Sequence, residues 1–108
     1  MAKIYISGKV AGLSAEEYSA NFNLAKELMQ NTGFEVISPI DLPHSHQRRW
    51  IDYMIEDLQA LAGCDAIFML SNWTESPGAK IEHDCAVRMG LDIIYMGRVT
   101  ENMELANG

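Results

Sequence analysis

Asp65-Ala66-Ile67-Phe68-Met69-Leu70, and six residues later Ser76-Pro77-Gly78-Ala79, is the stretch that decides the fold. The first piece is apolar without alternation, as in a strand covered on both faces. The second opens a helix, with Ser76 as N-cap and Pro77 at the first helical position. That helix is expected to run to Met89 and stop at Gly90, and Leu91-Asp92-Ile93-Ile94-Tyr95-Met96 reads as another strand. Strand, capped helix, strand is a crossover unit, and crossover units build parallel sheets.

The same alternation continues upstream. Lys3-Ile4-Tyr5-Ile6-Ser7 is a short β-branched and aromatic run that stops at Gly8. Residues 14–31 read as a helix: Ser14 and Glu17 make a capping box, Tyr18, Phe22, Ala25 and Met29 recur at helical spacing, and Gly33 ends the element. Phe34-Glu35-Val36-Ile37 is a strand, 38–46 a loop with two prolines, and 47–62 a helix whose apolar stripe is Trp50/Ile51, Met54, Leu58 and Leu61. The expectation is one domain over 1–108 with a polar tail at 98–108. It is a three-layer α/β sandwich: a mostly parallel sheet of four or five strands in flavodoxin-like (Rossmann-like) order, with the first strand central and helices on both faces. Ligands of such folds sit outside the carboxyl ends of the strands, which directs attention to 7–13, 38–46 and 71–80.

Bulk properties narrow the partners. A net charge of −7 over 108 residues opposes binding to a nucleic-acid polymer or an anionic membrane surface, since both require clustered Lys and Arg. A mononucleotide needs only a few local donors. Cys64 and Cys85 form no C-x-x-C, there is no signal-peptide pattern before Lys3, and no apolar run approaches the ~20 residues of a membrane helix. The expected location is the cytoplasm.

Glu82 is the first candidate for chemistry. It lies on or beside the helix stripe of Gly78, Cys85, Ala86 and Met89, where a carboxylate needs partners, and in the first two turns, where the helix dipole favours an anion. The plain alternative is a surface glutamate complementing that dipole. Asp57 falls at the margin of the preceding helix's apolar face, where a boundary residue is the simpler reading. Ser7-Gly8-Lys9-Val10-Ala11-Gly12 follows the first strand and could offer backbone N–H groups to a phosphate, although it is neither a G-x-G-x-x-G nor a Walker loop. Ser76-Pro77-Gly78-Ala79, with Lys80, is a second anion site by the same logic. Capping explains Ser76 and Pro77 but not Gly78, which costs about 1 kcal/mol against alanine in a helix. Trp73, Trp50 and Tyr5 are candidates to stack a base or sugar, or simply core. His44, His46, His83 and Asp84 do not share one face or spacing, so no metal is expected.

Taken together, Tyr5-Ile6-Ser7-Gly8, Asp57-Leu58-x-x-Leu61-x-x-Cys64-Asp65 and Ser76-x-Gly78-x-x-x-Glu82 resemble the nucleoside 2-deoxyribosyltransferase superfamily over nearly the whole chain. The likeness extends to small proteins common in phage and prophage genomes, and to deoxynucleoside 5′-monophosphate N-glycosidases. The resemblance implies that Glu82 attacks the anomeric carbon, that Asp57 binds the sugar or handles the proton of the leaving base, and that Tyr5 positions Glu82. An oxocarbenium-like centre beside a carboxylate suits that chemistry. Six residues before the glutamate, the nucleoside transferases carry Asp and the monophosphate glycosidases Ser. Ser76 therefore implies a monophosphate. The glycosidases' first loop resembles Gly-Ser-Ile-Arg-Gly, whereas this chain has Ala11 in place of the Arg.

Two readings follow. In one, the chain cleaves or transfers an N-glycosidic bond of a (deoxy)nucleotide without metal or organic cofactor: Glu82, Asp57 and Tyr5 carry the chemistry, and Ser7, Gly8, Lys9, Ser76, Gly78 and Trp73 hold the substrate. In the other, it binds a nucleotide without turnover, as a sensor, sponge or regulator in phage–host conflict. Relatives complete their sites with a neighbour's residues, which implies a homodimer or higher homo-oligomer.

Overall fold

The computed structural model of the chain describes residues 1–43 and 49–97. His44 and His46, the expected first turn of the helix at 47–48, and the tail at 98–108 lie outside them.

The order is β1 (Lys3–Ser7), α1 (Ala15–Asn31), β2 (Glu35–Ile37), α2 (Trp50–Ala62), β3 (Ala66–Met69), α3 (Pro77–Met89) and β4 (Asp92–Tyr95), with one-turn 3-10 helices at Pro39–Asp41 and Trp73–Glu75. Among the described residues the sheet has four strands in the order β2-β1-β3-β4, and every pair is parallel, with Tyr5 opposite both Ile37 and Ile67 and Met69 opposite Tyr95. This is the expected flavodoxin-like order. The chain leaves β1 toward β2 and returns on its other side to β3, so a crevice opens where their carboxyl ends part.

Side-chain alternation divides the core into two layers. Ile4, Ile6, Ala66 and Phe68 pack against Phe22, Ala25 and Met29 of α1. Tyr5, Ile67 and Met69 point to the other face and meet Leu61 of α2 with Ala79 and Ala86 of α3. Helices thus cover both faces, and among the described residues α1 lies on one and α2 with α3 on the other. β1 and β3 carry apolar residues on both sides because both sides are covered.

The capping box of α1 forms: Glu17 N–H donates to Ser14 Oγ at 3.1 Å while the Glu17 carboxylate receives the Ser14 N–H at 3.4 Å. Two expectations change. Trp50 and Ile51 remain 56% and 45% exposed, whereas Met54 and Leu61 on the same stripe are buried. A 13-residue helix is about 20 Å long and a four-residue strand about 13 Å, so the first turn of α2 outruns the sheet. On α3 the buried stripe is Ala79, Glu82 and Ala86, and Met89, in the last turn, is 45% exposed. Among the described residues, no helix is long and apolar enough to cross a membrane.

Candidate active site

Glu82 is 5% exposed on the inner face of α3. It lies directly over β1, and each of its carboxylate oxygens is taken by a hydroxyl from that strand. Tyr5 Oη donates to Oε2 at 2.7 Å and Ser7 Oγ donates to Oε1 at 2.7 Å. Tyr5 and Ser7 are two apart on a strand, so they face the same side. Two donors at that spacing match the two oxygens of one carboxylate and hold its plane.

Burial pushes the Glu82 carboxyl up to about 7. The hydrogen bonds from Ser7 and Tyr5 pull it down, and the negative charge of Asp57 adds to the rise. Burial likewise raises the Tyr5 phenol well above its ordinary value, helped by the charges of Glu82 and Asp57, so Tyr5 stays protonated and serves as donor. Asp57 on α2 is half-buried, and its charge reaches both members of this pair. The result is a carboxyl group in fixed orientation, poised between its two protonation states near neutral pH, at the switch point of the sheet. Such a group can act as nucleophile, acid or base.

The rim comes from two loops that are tied together. Lys9 N–H donates to Asn72 Oδ1 at 3.0 Å, and Lys9 Nζ lies 3.8 Å from Glu75 Oε1. Gly8 sits against Leu70: a Cβ there would lie 2.4 Å from Leu70 Cδ1 and 2.8 Å from its Cβ. Ser76 caps α3, its Oγ accepting the Ala79 N–H at 3.1 Å, which leaves the hydroxyl proton able to donate elsewhere. Gly78 faces α2, where an added Cβ would be 3.1 Å from Met54 Sδ, so close helix approach accounts for a glycine in that first turn. Trp73 stacks on His83 of α3 with ring centroids 4.3 Å apart, and His83 Nε2 is 2.6 Å from Tyr95 Oη.

The structure therefore gathers Glu82, Tyr5 and Ser7 in direct contact, with Asp57 near, and sets Gly8, Lys9, Ser76 and Trp73 around the carboxyl ends of β1 and β3. Three features escaped sequence reading. Ser7 contacts the carboxylate itself, a role that the alternation Tyr5-x-Ser7 could have suggested. Asn72 links the two loops, and His83 joins Trp73 to Tyr95. Neither of these had a local signal. Among the described residues, no group of three His, Cys, Asp or Glu side chains is placed to hold a metal.

The fold and site thus define a parallel α/β protein with a hydrogen-bonded carboxyl group at its switch-point crevice. Residues 2–95 match the family described as a domain of unknown function, DUF4406, and the chain belongs to that family. No curated protein sequence matches it. Among solved structures, it is similar to a protein titled "2-desoxiribosyltransferase from Leishmania mexicana", with a TM-score of 0.67 and 19% identity over 88% of this chain. The similarity spans 63% of that protein's length. At that identity, the likeness is one of fold.

Proposed function

We propose that the crevice binds a deoxynucleoside 5′-monophosphate and that Glu82 breaks its N-glycosidic bond. The observation that carries this reading is the buried Glu82 carboxyl with one hydroxyl on each oxygen, Tyr5 at 2.7 Å and Ser7 at 2.7 Å. The ionised carboxylate attacks C1′, the C1′–N bond breaks, and the base leaves with a proton relayed by Asp57. Water then attacks C1′ of the glycosyl ester and gives its proton back to Asp57, releasing the sugar phosphate and regenerating the Glu82 carboxylate. An acceptor base in place of water would make the same step a transfer. The fold likeness to a deoxyribosyltransferase supports the glycosyl chemistry. Ser76, with its hydroxyl proton free of the capping bond, supports a phosphate beside the α3 N-terminus, with Gly8, Lys9 and Gly78 lining the approach and Trp73 at the rim.

A second reading, binding without turnover, is favoured by the first loop. Ala11 offers no charge, and Lys9 is already 3.8 Å from Glu75, a pairing that an incoming phosphate must displace. This binder would act as a nucleotide sensor or sponge, in the phage setting that the sequence resemblance suggests. Under either reading, the chain works without metal or organic cofactor and self-associates through the outer faces of α2 and α3, where Trp50, Ile51, Ile55 and Ile81 are exposed. Two free thiols, Cys64 and Cys85, fit a reducing compartment such as the cytoplasm.

The test is chromatographic detection of free base from common deoxynucleosides and their 5′-monophosphates. Base release that falls by roughly 10³-fold or more in Glu82→Ala, with nucleotide affinity retained, is the expected result. Binding without release by wild type would select the second reading, and neither binding nor release would overturn both.

A further inference from the structure

We infer that His83 is a positioning residue: clamped between Trp73 and Tyr95, it fixes the turn between β3 and α3 that presents Ser76 at the crevice. This rests on the reading of the crevice as a nucleotide monophosphate site.

Successive helix residues are set about 100° apart around the axis. Glu82 points to β1, and His83, the next residue, points to β4. There its Nε2 lies 2.6 Å from Tyr95 Oη, and Tyr95 is the last residue of β4. The imidazole face is covered by the Trp73 indole, with centroids 4.3 Å apart and planes 24° from parallel. Trp73 and Tyr95 also meet each other at 6.1 Å between centroids, so the three rings form one block.

Trp73 opens the one-turn helix Trp73–Glu75. The residue before that helix is Asn72, which accepts the Lys9 N–H. The residue after it is Ser76, whose N–H donates to Trp73 O at 3.1 Å and whose Oγ caps α3. A three-residue 3-10 turn has little stability of its own. The ring block anchors its first residue to the end of the sheet, and Ser76, the residue that follows it, is tied to α3 by its cap. Without His83, Trp73 loses the ring it stacks on and keeps only its wider contact with Tyr95, at 6.1 Å between centroids, so the local hydrogen bonds of the turn and of the α3 cap are left to hold Asn72 and Ser76. The bond to Tyr95 survives either tautomer of the neutral imidazole, because the phenol can donate or accept.

The test compares wild type with His83→Ala, His83→Phe, which keeps a ring on Trp73, and Tyr95→Phe, which removes one hydroxyl. Amide hydrogen exchange is read without ligand at Lys9, Glu75, Ser76 and Ala79, with Ile6 and Phe68 as controls on the central strands. In parallel, KM and kcat, or Kd if the chain binds without turnover, are measured for deoxynucleosides and their 5′-monophosphates. In His83→Ala, exchange at the four turn amides should rise roughly tenfold with the control strands unchanged. KM or Kd for monophosphates should rise roughly tenfold, with kcat within about twofold and unphosphorylated nucleosides little affected. His83→Phe should restore much of the exchange protection, and Tyr95→Phe should fall between wild type and His83→Ala. Unchanged exchange at the turn overturns the inference whatever the chain does to nucleotides. A parallel loss for nucleosides and monophosphates also overturns it, because the effect would then be general loosening. If wild type neither binds nor cleaves a nucleotide, the proposed function fails, and the exchange result alone decides whether His83 fixes the turn.

Discussion

The Glu82 carboxyl is held at about 7, against about 4.3 for an exposed glutamate, and this difference has a stability consequence with a definite sign. Between those values the folded chain binds more protons than the unfolded chain, so stability falls as pH rises. The contribution is fully present below about 4.3 and is lost as pH rises through about 7. Glu82→Gln, which cannot ionise, should lack this slope. Denaturant unfolding at pH 5 and pH 8 should show wild type losing on the order of 3 kcal/mol more than the variant across that interval. A second consequence concerns the hydroxyls. Ser7 and Tyr5 each stabilise the ionised carboxylate, so Ser7→Ala and Tyr5→Phe should both move the acid limb of the kcat/KM profile for base release to higher pH. A wild-type limb near 7 that stayed in place in both variants would show that Glu82 is not the group being titrated.

At the scale of elements, β1 and the turn behind it depend on close approach. The Gly8 position leaves no room for a side chain beside Leu70, which is itself 2% exposed. An added methyl must push on the Cβ of that leucine, not only on its flexible end. Gly8→Ala should therefore cost about 1–3 kcal/mol by overpacking, measured by chemical denaturation, and should weaken nucleotide binding by shifting the Lys9 loop. Gly78→Ala differs. Its near neighbour is the flexible Met54 thioether at 3.1 Å, and alanine gains about 1 kcal/mol of helix propensity, so the two effects oppose and the net change should be small. Much of this level was legible beforehand. Ser14 and Ser76 act as caps as their positions indicate, and β1, β3 and α3 fall within a residue of the expected bounds. The exposure of Trp50, Ile51 and Met89 was not legible, because periodicity assigns a face to each residue but says nothing about where the neighbouring sheet ends.

At the scale of the whole molecule, a −7 chain leaves Trp50, Ile51, Ile55 and Ile81 exposed on α2 and α3. Self-association through that face predicts a light-scattering mass at micromolar concentration of at least twice the 12.1 kDa chain. Ile55→Glu should reduce it toward the monomer, and a wild-type monomer would refute the assembly. The sequence by itself determined the alternation of strands and helices, the parallel sheet and the placing of Glu82 on a buried stripe, because all of these follow from local periodicity and capping chemistry. Only the tertiary structure decided which groups Glu82 meets. Tyr5 and Ser7 are 77 and 75 residues away along the chain, and their meeting depends on β1 lying beneath α3. The same holds for Lys9 with Asn72, Gly8 with Leu70 and His83 with Tyr95. Strand order and register bring these pairs together, and no spacing along one element encodes a partner on another.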